Sequence, residues 1–291
     1  MEFTKLHGLG NDYLHFNTLA EDLTGYDLPT LARVLSDRHF GAGADGIILV
    51  QPSESADFRM RIFNADGSEA EMCGNGVRAF AKYVYDHGLT DKTELAVETG
   101  AGLITLRLSV AQGKMISARV NMGQPRLRRH EIPMTGEPGE AQVIEQPLTI
   151  EGQDFSFAAV SMGNPHCVIF VPEVAEFPVA EIGPKIECHE LFPARTNVEF
   201  VRVLDRRHLE MRVWERGSGE TLACGTGAAA TVVAGALTGR SERRATVHLR
   251  GGDLEIEWAE DDHVFVTGPA TEVYTAQVLP EIVAPARLGS E

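Results

Sequence analysis

Residues 58–79 read FRMRIFNADGSEAEMCGNGVRA, and residues 209–230 read LEMRVWERGSGETLACGTGAAA. The two stretches align without a gap at an offset of 151 residues, the separation of Cys73 and Cys224. Each contains an alternating apolar segment, a Gly-bearing turn, a glutamate and a Cys-Gly-x-Gly motif in the same order. Chance matches between glycines and alanines do not readily produce that order, so we interpret the repeat as an internal duplication. Because its period is about half of the chain, it predicts two related lobes rather than a solenoid.

Each copy of the repeat predicts a strand that leads through a turn into a helix. Residues 58–62 and 209–213 alternate apolar and polar side chains, which is the period of a half-buried strand. Residues 77–85 and 228–237 are predicted helices, and the second is small and apolar on all sides, as for a helix in a core. Two α+β lobes follow from this pattern.

Other segments add one further helix to each half and several strands. The predicted helices are residues 28–39 and 178–189. Apolar and β-branched runs predict strands at residues 103–108, 155–160, 198–203, 254–258 and 264–267. A stretch rich in Pro and Gly, residues 123–139, is the predicted loop or linker between the lobes.

Composition excludes several classes of function. The chain has 291 residues, of which 43% are apolar and 23% charged, and its net charge of −16 argues against nucleic-acid or anionic-membrane partners. Its longest small apolar run, residues 227–237, is far shorter than a membrane span. The N-terminus lacks a secretory pattern, and the four cysteines form no CxxC pair. We therefore expect cytoplasmic free thiols, with neither a disulfide framework nor a zinc cluster.

The chemistry is predicted where strand meets helix in each lobe. Cys73 and Cys224 would lie at helix N-termini, where free backbone N–H groups and the helix dipole favour a thiolate. The flanking glycines let the backbone approach a ligand, and the same N–H groups can hold a carboxylate. A lone cysteine is more often a small buried apolar residue, but a matched pair in this setting favours catalysis. Cys167 and Cys188 lack the motif, and we interpret both as structural.

Two matched thiols suit the inversion of a carbon centre. One group removes a proton from one face while the other delivers a proton to the opposite face, and pseudo-two-fold symmetry supplies both groups. A hydrolase would instead need one nucleophile with a dedicated base. Because the carbanion needs an adjacent carboxylate whose charge helix N-termini can stabilise, an amino-acid racemase or epimerase without pyridoxal phosphate fits best.

The sequence resembles the diaminopimelate epimerase family over nearly its whole length. The matching stretches are KLHGLGND (residues 5–12), FNADGSE (63–69), MCGNG (72–76), SMGNPHC (161–167), RTN (195–197) and ERGSGETLACGTG (215–227). The resemblance implies a mostly antiparallel sheet around a central helix in each pseudo-symmetric lobe. It places the N-terminal lobe at residues 1–122, completed by a strand at 271–280, and the C-terminal lobe at 123–270. The active site is expected in the cleft between the lobes.

The same resemblance implies a function and a set of site residues. The expected reaction interconverts LL- and meso-2,6-diaminopimelate in lysine and peptidoglycan precursor synthesis, with no cofactor and no metal, in a homodimer. Cys73 and Cys224 would be the two bases, and His166 and Glu215 would tune the pKa values of the thiols. The implied substrate contacts are Asn11, Asn64, Gly74, Asn75, Asn164, Asn197, Glu215, Arg216, Gly225 and Thr226. Many members have a glutamine where this chain has Gly46, so that contact is not carried over.

Alternatives remain open at this point. Asn beside Gly or Pro is commonly a turn former, His166 could be a structural histidine, and Arg216 could form a surface pair with Glu215. A proline racemase-type enzyme on the same fold is disfavoured, because Asn75 stands where that group typically has histidine. The two thiols could also form a regulatory disulfide in a small-molecule binding module.

Overall fold

The repeated strand–turn–helix sequence forms the same set of elements in each of two units. The computed structural model describes residues 1–289. One unit contains residues 1–120 and 268–289, and the other contains residues 121–267. Within the described residues, no helix is both long enough and apolar enough to cross a membrane.

Strands outnumber helices in the described part of both units. The first unit contains β1 (Glu2–Gly8), β2 (Asn11–Asn17), β3 (Gly46–Gln51), β4 (Phe58–Asn64), β5 (Glu69–Ala70), β6 (Glu94–Thr99), β7 (Gly102–Ala111) and β8 (Lys114–Asn121). The second contains β9 (Gln146–Ile150), β10 (Gln153–Ser161), β11 (Pro165–Phe170), β12 (Asn197–Asp205), β13 (His208–Glu215), β14 (Gly219–Thr221), β15 (Arg244–Leu249), β16 (Gly252–Trp258) and β17 (Val264–Gly268). A last strand, β18 (Thr271–Gln277), returns to the first unit and pairs antiparallel with β1. The helices are α1 (Leu28–Ser36), α2 (Gly74–Asp86), α3 (Val179–Glu187) and α4 (Gly225–Leu237).

The two units share one strand topology. In the first, β1–β2, β3–β4, β6–β7 and β7–β8 pair antiparallel, whereas β2–β3 and β4–β6 are parallel. In the second, β10–β11, β12–β13 and β15–β16 are antiparallel, whereas β11–β12 and β13–β15 are parallel. This repetition, with one buried helix in each unit, confirms the predicted α+β fold of two related lobes.

Helices α2 and α4 form the centre of their units. Helix α2 packs on β1, β2, β3 and β18, and α4 packs on β10, β11, β12, β15 and β16. Helix α4 is built mainly of Gly, Ala, Val and Thr, and ten of its residues are buried, which agrees with its apolar character on all sides. Because α2 and α4 are held by the sheets around them, their first turns are fixed in position.

The bounds of all four predicted helices needed correction. Helices α2 and α4 begin three residues before the predicted starts at residues 77 and 228, because each begins directly after its N-cap cysteine. The helix predicted at residues 28–39 ends at Ser36, because the carboxylate of Asp37 accepts hydrogen bonds from the N–H groups of His39 and Phe40. The helix predicted at residues 178–189 is α3, which is shorter at both ends. The segment at residues 123–139 is irregular, as expected, but it contains a 3₁₀ turn at Arg129–Glu131.

Gly46 on β3 leaves no space for a side chain. A Cβ atom there would collide with the carbonyl oxygen of Phe63 and lie 3.1 Å from the Cα of Asn64 on β4. The glutamine found at this position in many members of the resembling family therefore could not be placed on this backbone without moving β4.

We expect the Gly46→Ala variant to lose about 1–3 kcal/mol of unfolding free energy, because the added methyl group meets backbone rather than a flexible side chain. Gly25→Ala is the matched control, since no atom lies within 4 Å of a Cβ built there. Its unfolding free energy should change by no more than about 0.5 kcal/mol. Urea denaturation measures both, and equal stability of the two variants would contradict the close approach of β3 and β4.

Candidate active site

Both cysteines of the repeat cap a helix. Cys73 has extended backbone angles (φ −140°, ψ 118°) and precedes α2, and its Sγ accepts a hydrogen bond from the N–H of Gly76 at 3.3 Å. Cys224 repeats this geometry before α4 (φ −123°, ψ 112°), with the N–H of Gly227 at 3.4 Å. The predicted placement of both thiols at helix N-termini is confirmed. The N–H groups and the dipole of each helix contribute a positive potential there, which acts in favour of an anion.

The glycine three residues after each cysteine stands where there is little space for a side chain. A Cβ atom on Gly227 would lie 2.7 Å from Oε1 of Glu199, and one on Gly76 would lie 3.1 Å from Cδ1 of Ile48. A larger residue at either position would have to displace one of these neighbouring side chains.

Strand β2 supplies the polar neighbours of Cys73. The Cys73 thiol donates to Oδ1 of Asn11 at 3.3 Å, and the Tyr13 hydroxyl donates to Sγ at 3.6 Å. Burial, together with the adjacent Cys73, raises the pKa of Tyr13 well above its ordinary value, so the phenol stays protonated as a donor. Asn11 was predicted, but Tyr13 was not. The repeat contained a signal for it, since Tyr13 and His166 share the 153-residue offset of Asn11 and Asn164.

The sheet register aligns the predicted Asn64 with this group. Tyr13 on β2 pairs with Gly46 on β3, and Gly46 pairs with Asn64 on β4. The three residues therefore form one row across the sheet. The side chain of Asn64 donates to Oγ of Ser68 at 3.0 Å, within the turn that follows β4.

A network of charges holds Asn11 in place. Its Nδ2 donates to Oδ2 of Asp45 at 2.7 Å, and Arg38 forms ion pairs with Asp45 at 2.8 Å and with Asp12 at 2.7 Å. Lys5 adds an ion pair to Asp12 at 2.8 Å. Burial alone would raise the pKa of Asp12, but the hydrogen bonds from Arg38 and Lys5 hold it below its ordinary value. The amide of Asn11 is thereby oriented toward Cys73.

Carboxylates surround the second thiol. Burial raises the pKa of Cys224 well above its ordinary value, and the negative charges of Glu215 and Glu199 add to that effect. Burial also raises the pKa of Glu215, although hydrogen bonds from Thr221 and Cys224 partly oppose it. The Oγ1 of Thr226 lies 3.4 Å from the sulfur. Cys224 is therefore held mainly as a thiol near neutral pH.

A chain of buried and half-buried polar side chains leads to this thiol. His166, fully buried, places Nδ1 at 2.7 Å from Oε1 of Glu199 and Nε2 at 3.0 Å from Oδ1 of Asn164. Asn164 donates from Nδ2 to Oγ1 of Thr226 at 3.3 Å. The predicted residues His166, Asn164 and Thr226 are thus brought together. Glu199 was not predicted, because its position in the strand β12 becomes evident only once the strand register is known.

Asn197 and Arg216 shape the loop that follows β13. Asn197 donates to the carbonyl oxygen of Pro165 at 2.9 Å and accepts from the N–H of Arg216 at 2.9 Å, so both ends of its amide contact backbone. The exposed guanidinium of Arg216 donates to the carbonyl oxygen of Ala194 at 3.1 Å. Within residues 1–289 no carboxylate lies at ion-pair distance from it, so the alternative of a surface pair with Glu215 is wrong.

Glu187, at the end of α3, fixes the same loop and was not predicted from the sequence. Its carboxylate accepts from Nε1 of Trp214 at 2.7 Å and from the N–H of Gly217 at 3.1 Å. These two contacts lie on either side of the pair Glu215 and Arg216. The buried carboxylate of Glu187 therefore holds the backbone on both sides of Glu215 and Arg216, which are predicted ligand contacts.

The remaining predicted contacts lie in the first helical turns. Gly74 and Asn75 begin α2, and Gly225 begins α4, so their backbone N–H groups lie in the first turn beside each thiol. Asn75 is buried, and its Oδ1 accepts a hydrogen bond from Arg78 at 2.7 Å. Elsewhere, Cys167 is buried on β11, in agreement with a structural role, whereas Cys188 after α3 is exposed. In the described part of the chain, no three His, Cys, Asp or Glu side chains are placed to hold a metal ion together.

The chain is similar to known proteins over the segments that carry these site residues. The sequence profile of the diaminopimelate epimerase family matches residues 3–128 and 158–273. A diaminopimelate epimerase of Moorella thermoacetica is 58% identical over 277 residues, covering 94% of this chain and 98% of the relative. Among solved structures, a PhzF-family phenazine biosynthesis protein of Bacillus anthracis is 17% identical with a TM-score of 0.68, covering 96% of this chain and 99% of that one. A hydroxyproline epimerase of Agrobacterium vitis is 16% identical with a TM-score of 0.65, covering 97% and 93%. The last two likenesses concern the fold alone.

We expect the Glu215→Gln variant to lower the pKa of Cys224, because it removes a negative charge that disfavours the thiolate. Thiolate forms as pH rises through the pKa, so alkylation of Cys224 by iodoacetamide should set in at lower pH in the variant. Peptide mass spectrometry of samples alkylated across a pH series gives the midpoint.

Glu210→Gln is the matched control, since Glu210 lies on the same strand in an exposed pair with Arg202. Its midpoint should equal that of the unmodified chain. An unchanged midpoint in Glu215→Gln would show that Glu215 does not set the ionisation of Cys224.

Proposed function

The chain belongs to the diaminopimelate epimerase family, and we propose on that basis that it interconverts LL- and meso-2,6-diaminopimelate through Cys73 and Cys224. It is an isomerase. The observation that carries the two-base assignment is the repeated N-cap geometry, in which one thiol per unit accepts a backbone N–H bond at the start of a buried helix. An enzyme with one base would need only one such thiol.

In the proposed reaction the two thiols act on opposite faces of one α-carbon. A thiolate takes the α-proton and becomes a thiol, while the C–H electron pair stays on the carbon. The opposite thiol then gives its proton to that carbon and becomes a thiolate. The products are the inverted amino acid and an enzyme with its two protonation states exchanged. The reverse reaction uses the same groups in the opposite roles.

The first turns of α2 and α4 would stabilise the intermediate. Charge that develops at the α-carbon spreads into the attached carboxylate. Backbone N–H groups at Gly74, Asn75, Gly225 and Thr226, at the start of each helix, suit a carboxylate. Since these groups are fixed by the packing of their helices, they would need no reorganisation when the charge develops.

The distal end of the substrate needs a second set of contacts. We assign it to the remaining predicted residues, with Arg216 as the donor to the distal carboxylate, because its guanidinium has no acidic partner among residues 1–289. Glu215 would accept from an ammonium group. The other proposed contacts are Asn11, Asn64, Asn164 and Asn197. His166 and Glu215 are proposed to tune the ionisation of Cys224.

We further propose that the enzyme is a cytoplasmic homodimer that serves lysine and peptidoglycan precursor synthesis, without cofactor or metal. Analytical ultracentrifugation of the purified chain tests the dimer. A sedimentation coefficient matching a single 31.7 kDa chain would refute it.

We expect the purified chain to convert LL-diaminopimelate to the meso form, and to act on L-proline and trans-4-hydroxy-L-proline with kcat/KM lower by about 10⁴-fold. The difference follows because those substrates leave the distal polar groups unpaired. Chiral chromatography measures all three reactions. Efficient racemisation of proline with no action on diaminopimelate would favour the alternative reaction class.

Each of the variants Cys73→Ala and Cys224→Ala should lose epimerase activity by about 100- to 10,000-fold, because one face of the α-carbon then lacks its acid or base. Cys188→Ala is the control, since that thiol is exposed and outside both N-cap sites. Its rate should be unchanged. Substantial epimerisation by either N-cap variant would contradict the two-base assignment.

A further inference from the structure

Arg78 on α2 is the largest fully buried side chain among the described residues. Its guanidinium donates to the carbonyl oxygen of Gly74 at 3.0 Å, to Oδ1 of Asn75 at 2.7 Å and to the carbonyl oxygen of Pro269 at 3.4 Å. All three acceptors are neutral. Within residues 1–289 no carboxylate oxygen lies within 4.0 Å of it, which is unusual for a buried cation.

The contacts of Arg78 place its charge behind the first turn of α2. Gly74 and Asn75 directly follow Cys73, so the guanidinium is anchored to the same turn whose N–H groups face the sulfur. Burial lowers the pKa of Arg78 to about 10, and the charge of Cys73 opposes that effect. Arg78 is therefore still a cation at neutral pH. A thiolate at Cys73 would stabilise the Arg78 cation, and the cation would stabilise the thiolate to the same extent.

The second unit lacks this cation. The residue 151 positions after Arg78 is Ala229, which is fully buried on α4. The groups that face Cys224 in its unit are instead Glu215 and Glu199, with His166 bonded to Glu199. The charges near the two thiols thus have opposite signs, although the two helices begin in the same way.

The other groups near Cys73 do not cancel this difference. The Tyr13 hydroxyl donates a hydrogen bond to the sulfur, which favours a thiolate. Asn11 accepts from the thiol, and Asp45 behind it carries a negative charge, which favours the protonated form. That charge is paired with Arg38, however, whereas Arg78 has no carboxylate partner in the described part of the chain.

We propose that Arg78 is the buried counter-charge of Cys73, so that the resting enzyme carries a thiolate at Cys73 and a thiol at Cys224. Arg78 acts as a positioning residue through Cys73. Only the roles of the two thiols in epimerisation rest on the proposed function; their ionisation states do not. In the resting enzyme it makes Cys73 the group ready to remove a proton and Cys224 the group ready to donate one.

The test measures the ionisation of both thiols without substrate. The protein is alkylated with iodoacetamide across a pH series, and peptide mass spectrometry gives a midpoint for each cysteine separately. In the unmodified chain we expect the midpoint of Cys73 to lie at least about one pH unit below that of Cys224. Midpoints, rather than rates at one pH, separate ionisation from accessibility. Equal midpoints, or a lower one at Cys224, would overturn the proposal without any variant.

Two substitutions then assign the effect to Arg78. Arg78→Met keeps much of the length of the side chain but removes its charge, and should raise the midpoint of Cys73 by at least about one pH unit. Arg78→Lys restores the charge and should restore most of the shift. The midpoint of Cys224 in the same samples is the internal control and should not move.

An unshifted Cys73 midpoint in a folded Arg78→Met protein would overturn the proposal, as would equal shifts in the Met and Lys variants. Circular dichroism identifies any variant that does not fold. In that case the difference between the alkylation midpoints of Cys73 and Cys224 in the unmodified chain decides. Because no substrate is used, a failed epimerase assay would leave this result intact, and the reverse also holds.

Discussion

The hydrogen bond from a backbone N–H to an N-cap sulfur is the interaction on which both halves of the site depend. It places Cys73 and Cys224 at the positive ends of α2 and α4, with extended backbone at the cysteine and helix immediately after it. Glycine stands three residues after each cysteine, and a Cβ on Gly227 would press on Glu199. The sheets around the two helices then keep each sulfur and its N–H donors in one arrangement. The packing of the whole unit therefore fixes the geometry of a short motif.

The duplication supplies two equivalent positions, and substitutions at matched sites make them electrostatically different. Tyr13 stands where the second unit has His166, and Arg78 stands where it has Ala229. The first thiol consequently has a hydroxyl donor and a buried cation nearby, whereas the second has the buried carboxylate of Glu199 and the half-buried one of Glu215. An epimerase that works in both directions needs one ionised and one protonated thiol at any moment. Before substrate binds, the unequal surroundings determine which thiol is ionised and which is protonated.

Much of the fold and the two thiols of the site could be predicted from local sequence alone, whereas the other predicted site residues came from the family resemblance. Alternation and helical composition located α2, α4 and the strands that precede them, and the Cys-Gly-x-Gly motif located both N-caps. Residues that act through the register of the sheet could not be found in this way. Glu199 bonds His166 only because β11 and β12 are parallel neighbours, and no feature of the local sequence specifies that pairing. Glu187 contacts Trp214 and the loop after β13 only because α3 packs beside that strand. The early end of α1 depends on the side chain of Asp37, which competes for backbone N–H groups.

Two different thiols are proposed to handle the proton on the two faces of the α-carbon. Epimerisation of LL-diaminopimelate in D2O, stopped at low conversion, tests this central claim most directly. If one thiol removes the proton and the other donates, the donor has exchanged with solvent before turnover. The meso product should then carry deuterium at the inverted carbon, while the remaining LL substrate keeps protium. Mass spectrometry of the separated isomers gives both values. Substantial protium at the inverted carbon of the early product would contradict the claim, since it would mean that one group returns the proton it removed.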